Sequence, residues 1–280
     1  KTLVKIWVIC FFMGIFIVAS CLAKIDPKTV AGYWLFEEGK GNTVADSSDN
    51  KNDGIFNGNL KWANGKFGKC LEFDGSSAFV SCKHSESLDI TKEITVMAWV
   101  NFKGLDYKNG AGRLNTIAAK GYPDALNPHS GWWFSYDNRQ NRQDFPYTCF
   151  GNKNGGWAGG GNSLGGNNFV FNEGEWYHLA FTIGKSIAKL YINGSQFGAD
   201  KTLANLVLSD TSRDLFIGCA DRSWFFGGLI DEFAIFNVAL SAQDIKNVMD
   251  NGLKEAISPS AVDYSGKLAS KWGSIKSNAR

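Results

Sequence analysis

The chain has 280 residues, 44% of them hydrophobic and 14% aromatic. That is enough to bury one sizeable core, and all-β folds of this length are often single domains. Twenty-nine basic residues face 27 acidic ones, a formal charge of +2, so the composition excludes the strongly basic surface of a polyanion binder and nucleic acid is not an expected partner.

The first element is KTLVKIWVICFFMGIFIVASCLAK, in which Lys1 and Lys5 precede an apolar run from Ile6 to Val18 and then small residues. That layout is a secretory signal over residues 1–23, so the mature protein is expected to be exported, whether secreted, periplasmic or held at the cell surface. Three fates stay open. Ala23 suits an ordinary signal-peptidase cut, Val18-Ala19-Ser20-Cys21 resembles a bacterial lipobox that would lipidate Cys21, and the apolar stretch approaches the ~20 residues of an uncleaved membrane anchor.

From about Val30 to Asn251 the chain reads as short strands broken by Gly, Asn, Asp and Ser clusters: AGYWLF, KCLEF, AFVSC, ITVMAWVNF, TIAAK, GWWFSY, WYHLAFTI, AKLYING, DLFIG and LIDEFAIF. So many strands with turn punctuation predict an all-β fold of two antiparallel sheets, a jelly-roll sandwich. After the first strand comes DSSDNKNDG, Asp46 to Gly54, rich in side-chain oxygens. It reads as an Asx-turn connection, with a calcium loop as the competing reading because calcium takes six to eight oxygens. Cys70 and Cys82 flank the hairpin-like LEFDGSSAFV and are the nearest pair for a disulfide; buried free thiols are the other reading, shared by Cys149 and Cys219.

Between Gly104 and Asn168 the connections become long and rich in Gly and Asn, where specificity usually resides on a sandwich. Trp157 in GGWAGGG is the best single candidate to stack on a sugar ring, because flanking glycines give it little local support. Tyr147, Asn138, Arg139 and Arg142 complete the expected ligand set. Further on, Asn193-Gly194 signals a type I′ hairpin turn. His178 in EWYHLAF reads as a packed structural histidine, and no Ser-His-Asp grouping is recognisable. Ser241 then caps a short helix carrying Ile245, Val248 and Met249 on one face, stopped at Gly252. Residues 253–280 gain Ser and Lys and read as a flexible tail.

The ordered set AGYWLFEEGKGNTVADSSDNKNDG, GKCLEFDGSSAFVSC with HSESLDI, ITVMAWVNF, GEWYHLAFTI, KLYING and FFGGLIDEFAIFNVALSAQDI resembles the LamG-like (concanavalin A-like) jelly-roll domain over residues 30–252. The resemblance implies a first strand around Tyr33 to Glu37 lying near a late strand around Leu229 to Phe236. It also implies an extracellular module that binds glycans or proteins or assists surface enzymes. Where those strands meet, Glu37, Asp46 and Asp231 would form a structural calcium site, since similar domains often bind the ion. Related glucanases carry an acidic pair on one strand. Here Asp231 and Glu232 are adjacent, and strand alternation sends neighbours to opposite faces, so no catalytic residue is expected. The combined expectation is a non-catalytic exported module that binds a glycan or glycoconjugate, the alternative being an adhesion module for a protein partner, with any membrane attachment only through the N-terminal lipid or anchor.

Overall fold

The computed structural model describes residues 24–105, 114–121, 131–137, 145–151, 157–158, 169–203, 208 and 212–257. The expected signal segment, the tail beyond Ile257 and the loop residues Asn138, Arg139 and Arg142 lie outside them.

In chain order the strands are β1 (Val30–Trp34), β2 (Thr43–Val44), β3 (Gly54–Asn57), β4 (Lys61–Asn64), β5 (Lys69–Asp74) and β6 (Phe79–Cys82). There follow β7 (Ile94–Phe102), β8 (Leu114–Lys120), β9 (Trp132–Asp137), β10 (Phe145–Gly151) and β11 (Trp157–Ala158). Next come β12 (Trp176–Gly184), β13 (Ile187–Ile192), β14 (Ser195–Thr202), β15 (Leu215–Ile217) and β16 (Gly227–Phe236), then helices α1 (Ala242–Asn251) and α2 (Leu253–Ala256). Two antiparallel sheets result. One runs β14-β13-β12-β7-β16-β5-β4 with β1 also paired to β16; the other runs β11-β10-β9-β8-β15-β6-β3-β2. The jelly-roll expectation holds, and the first strand does meet the last, Tyr33 opposite Ala234 and Trp34 opposite Phe233.

The alternation of β7 explains the layering. Val96, Ala98, Val100 and Phe102 point between the sheets, where they join Trp34, Phe134, Phe150, Phe181 and Ile217 in the main core. Burial of side chains of this size stabilises by about 1.5–3 kcal/mol each. Met97 points the other way and meets Ala180, Tyr191, Ala234 and Phe236 beneath Ile245 and Val248 of α1 and Leu253 and Ala256 of α2. The helix forms where its cap predicts. The Ser241 hydroxyl accepts from the Asp244 amide while the Asp244 carboxylate accepts from the Ser241 amide, a capping box.

One expectation is corrected, and the choice between disulfide and free thiols is decided for the thiols. The boundary after Gly252 falls inside folded structure, because Leu253 and Ala256 are wholly buried and Ile25 bridges to Ile257. Cys70 and Cys82 do not pair: β5 and β6 belong to different sheets, and Cys70, Cys82, Cys149 and Cys219 are all buried free thiols. The hairpin-like LEFDGSSAFV is a corner between the sheets. Asp74 makes that corner by accepting from the amides of Ser76, Ser77 and Ala78.

Candidate functional site

The outer face of the second sheet carries an exposed aromatic that the sequence reading passed over. Ala220 and Ser223 exchange backbone hydrogen bonds at 2.9 and 3.0 Å around Asp221 and Arg222, which both adopt left-handed φ, 45° and 65°. Trp224 follows at φ 48°, another unfavourable setting for a bulky residue. Its carbonyl accepts from the Thr116 amide of β8, and its indole stands edge-on to Trp133 of β9 at 4.8 Å. Trp224 is nonetheless 37% exposed. Arg222 beside it is exposed, and Arg213 pairs with Asp221 at 2.9 Å across the same turn. Three left-handed non-glycine residues in four positions are over-determined by this local bonding, and the product is an indole braced edge-to-face against a second tryptophan and partly open to solvent.

Of the aromatics expected to bind ligand, Trp157 lies in β11 opposite Gly151, and Tyr147 in β10 opposite Ser135; their side chains lie outside the described residues. The backbone nevertheless brings them near the same place. Trp133 pairs with Cys149 of β10, so β11 lies two strands from the tryptophan under Trp224. Only residue type was visible in DRSWFF; the exposure of Trp224 follows from the left-handed turn and from the neighbouring strands.

The DSSDNKNDG stretch is an ordered connection between β2 and β3 of the second sheet, and its side chains bond across to β1 of the first. Asp46 is 1% exposed. Its Oδ1 accepts from the Tyr33 amide at 3.0 Å and the Ser48 amide at 2.9 Å, and its Oδ2 from the Ser48 hydroxyl at 2.9 Å and the Asn52 amide at 2.8 Å. Asn50 and Asn52 donate their side-chain amides to the Ala31 carbonyl, and the Asn52 carbonyl accepts from the Trp34 indole. This is the Asx-turn reading, with side chains replacing a ladder between two sheets that cannot hydrogen-bond to each other.

Glu37, Asp46 and Asp231, the three residues expected around calcium, each take separate backbone partners in the structure. Glu37 turns instead to the Lys69 amide, Asp231 to the Phe67 amide, and Asp46 is saturated by its own loop. Among the described residues no three His, Cys, Asp or Glu side chains are placed to hold one ion.

The alternation argument for Asp231 and Glu232 is corrected as well. Register slips between Asp231 and Ala234 of β16 against β7, and Glu232 takes φ 48°, so a β-bulge inserts one residue. Asp231 lies under the turn between β4 and β5, its Oδ2 accepting from Phe67 at 2.9 Å, while Glu232 accepts from the Leu253 amide of α2 at 2.8 Å. Burial pushes Asp231 up to about 8, helped by the Glu232 charge and opposed by the Phe67 amide. Burial likewise raises Glu232 to about 7, against the Leu253 amide and with Glu37 adding to it. Neither opens to solvent: Asp231 is 0% and Glu232 5% exposed. Opposite Asp231 across β7 stands Trp99, and opposite Trp99 stands His178, wholly buried and held neutral, its value driven down to about 3 by burial. Lys66 caps this row, its ammonium 4.4 Å from the Trp99 ring centre.

Comparison with known proteins places the fold of this chain in a family. The model for the concanavalin A-like lectin/glucanases superfamily matches residues 74–246. Domain 4 of AbnA, an extracellular arabinanase from Geobacillus stearothermophilus solved with arabinotriose, superposes with a TM-score of 0.60 at 20% identity, covering 79% of this chain and 98% of that one. The binding domain of Paraclostridial Mosquitocidal Protein 1 gives 0.61 at 15% identity, covering 80% and 52%. The binding domain of Botulinum Neurotoxin DC, solved with SialylT, gives 0.58 at 14% identity, covering 80% and 51%. The match thus spans about half the length of the toxin domains. No curated protein matches in sequence.

Proposed function

We propose that this chain, which belongs to the concanavalin A-like lectin/glucanase superfamily, is a non-catalytic exported module that binds a carbohydrate or glycoconjugate through the outer face of its second sheet. The observation that carries the reading is Trp224: a solvent-open indole on a left-handed backbone, stiffened by Trp133 and flanked by the exposed Arg222. A flat aromatic stacks on the C–H face of a sugar, and the neighbouring guanidinium and amides fix its hydroxyls, the usual division of labour in a small-molecule site. Trp157 and Tyr147 are proposed for the same site because the backbone of β10 lies beside β9 and that of β11 one strand further; Asn138, Arg139 and Arg142 stay candidates from the sequence alone. Arabinotriose in the AbnA domain and the SialylT complex of the toxin domain support saccharide as the ligand class. The absence of catalysis is supported by Asp231 and Glu232, which are engaged with backbone amides beneath a turn and a helix rather than facing an open cleft.

The test is a glycan array probed with the chain in calcium and again in chelator, alongside Trp224→Ala and Trp157→Ala. Binding to a saccharide class that weakens at least ~10-fold in Trp224→Ala, at unchanged melting temperature, is the expected result; 10-fold corresponds to about 1.4 kcal/mol. Absence of saccharide binding in both buffers, or binding indifferent to both tryptophans, overturns the reading. Release of reducing sugar from a bound polysaccharide overturns its non-catalytic part.

A further inference from the structure

We infer that a second ligand site lies on the opposite sheet, in the cleft between β12, β13 and β14 and the start of α1, and that it takes an anionic sugar unit; this rests on the carbohydrate reading above. The cleft holds about 580 Å³. Small-molecule sites run from roughly 300 to 1,000 Å³ and combine apolar walls with a few convergent polar groups. Ile187, Leu240 and Ala242 supply the apolar part here.

The floor is made by Thr182 of β12 and Tyr191 of β13, each 3% exposed. Neither hydroxyl has a hydrogen-bond partner among the described residues. Neither oxygen is among the fully buried unpartnered atoms, so both reach the solvent of the cleft, where they can donate to and accept from a hydroxylated ligand. Gln196 lies opposite Tyr191 on β14 and commits its NH2 group to the Gly198 carbonyl and Asp200, which leaves its carbonyl oxygen as a further acceptor.

Charge at the rim selects for an anion. Lys189 shares its ammonium with Asp200 at 3.4 Å, but Lys185 has no ion pair among the described residues. A smaller adjoining cavity of about 290 Å³ shares Lys185 and Glu93 with the first and adds Lys92. Lys92, Lys185 and Lys189 line the two cavities against Glu93, which approaches the Ala239 amide at 3.5 Å, and Asp200, which pairs with Lys189, so amines stay in excess. Ammonium groups act on an anion as point charges and steer it as well as hold it.

The backbone under Lys185 is the independent sign. Lys185 and Ser186 form the whole turn between β12 and β13, with φ 50° and 60°, the geometry that the next hairpin realises with Asn193-Gly194 at 50° and 73°. Two left-handed residues are cheap with Asn-Gly and unfavourable with Lys-Ser, so the turn keeps a cation at the cleft mouth at the expense of local strain.

The test titrates the full chain with sodium glucuronate, with glucose as the neutral control and sodium acetate as the charge-only control, read by amide shifts of Thr182, Lys189 and Gln196 and by calorimetry. Glucuronate is expected to bind at least ~10-fold more tightly than either control. Lys185→Gln with Lys189→Gln should remove at least ~10-fold of that affinity, Tyr191→Phe about 3-fold, and Trp224→Ala none. Acetate equal to glucuronate (an adventitious ion only), glucose equal to glucuronate, no shifts at millimolar ligand, or indifference to the double lysine variant each overturns the inference. The two sites fail separately: array binding that needs Trp224 with a silent cleft removes only this site, whereas glucuronate shifts with a silent array remove only the first.

Discussion

Asp46 and Asp231 are both aspartates with almost no exposed surface, and both stand where the first and last strands meet, yet they solve burial in opposite ways. Asp46 sits among amides and a hydroxyl of its own loop and of β1, so four donors meet its two oxygens. Asp231 sits on a sheet face under the turn between β4 and β5, accepts from the Phe67 amide, and keeps Oδ1 buried without a partner. One carboxylate replaces a missing ladder; the other, beside Glu232 and short of donors, is pushed by burial to hold its proton to about 8. The difference is one of donors, not of depth.

The largest expected effect is at Asp46. Asp46→Ala leaves the amides of Tyr33, Ser48 and Asn52 without their acceptor in a buried setting, and each such loss costs about 1–3 kcal/mol, so unfolding in urea should show a loss on the order of 3–5 kcal/mol. A loss below about 1 kcal/mol would mean that solvent replaces the carboxylate and that the contrast is false. Next in size is the pH response. Asp231 and Glu232 have folded values near 8 and 7, above those of the unfolded chain, so the native state binds more protons than the unfolded one through this interval. Their contribution is complete at acid pH and is lost as pH rises through 7 to 8. His178, depressed to about 3, works in the other direction, withdrawing stability as pH falls below about 6.5, so the carboxyl effect is cleanest above that point. The melting temperature should therefore fall between pH 6.5 and 9, and fall less in Asp231→Asn with Glu232→Gln; a flat wild-type profile refutes the protonated pair. Smallest is Asp231→Asn alone at neutral pH. The amide oxygen can still accept from Phe67 and no proton has to be held, so the change in unfolding free energy should stay within about 1 kcal/mol. A cost comparable with that of Asp46→Ala would show that Asp231 is charged in the fold.

The sequence was informative wherever the decisive interaction is local. Asp46, Ser48 and Asn52 lie within six residues, and their Asx pattern reads directly as a turn that bonds to itself. Ser241 and Asp244 announce their helix by the capping box, and Asn193-Gly194 its hairpin. Residue type and spacing carry that information because the partners are neighbours in the chain. The bulge at Glu232 defeated strict alternation, since an inserted residue leaves no mark on a hydrophobic pattern such as GGLIDEFAIF. The cysteines that flank LEFDGSSAFV looked like partners because the run resembles a hairpin; the three amides gathered by Asp74 turn it into a corner between sheets. Trp224 was one tryptophan among ten until its backbone and Trp133 were seen together.

By itself the sequence determined a two-period, turn-punctuated chain that must stack sheets, the helix that follows them and the Asx loop after the first strand, because propensity, capping and Asx bonding act over a few residues. Only the tertiary structure decided which carboxylate keeps its proton, which tryptophan faces solvent and where a hydroxyl is left facing a cavity. Each of those depends on what a distant strand or helix brings to the same spot: Phe67 and Leu253 to the bulge, Trp133 to Trp224, and the start of α1 to Thr182 and Tyr191.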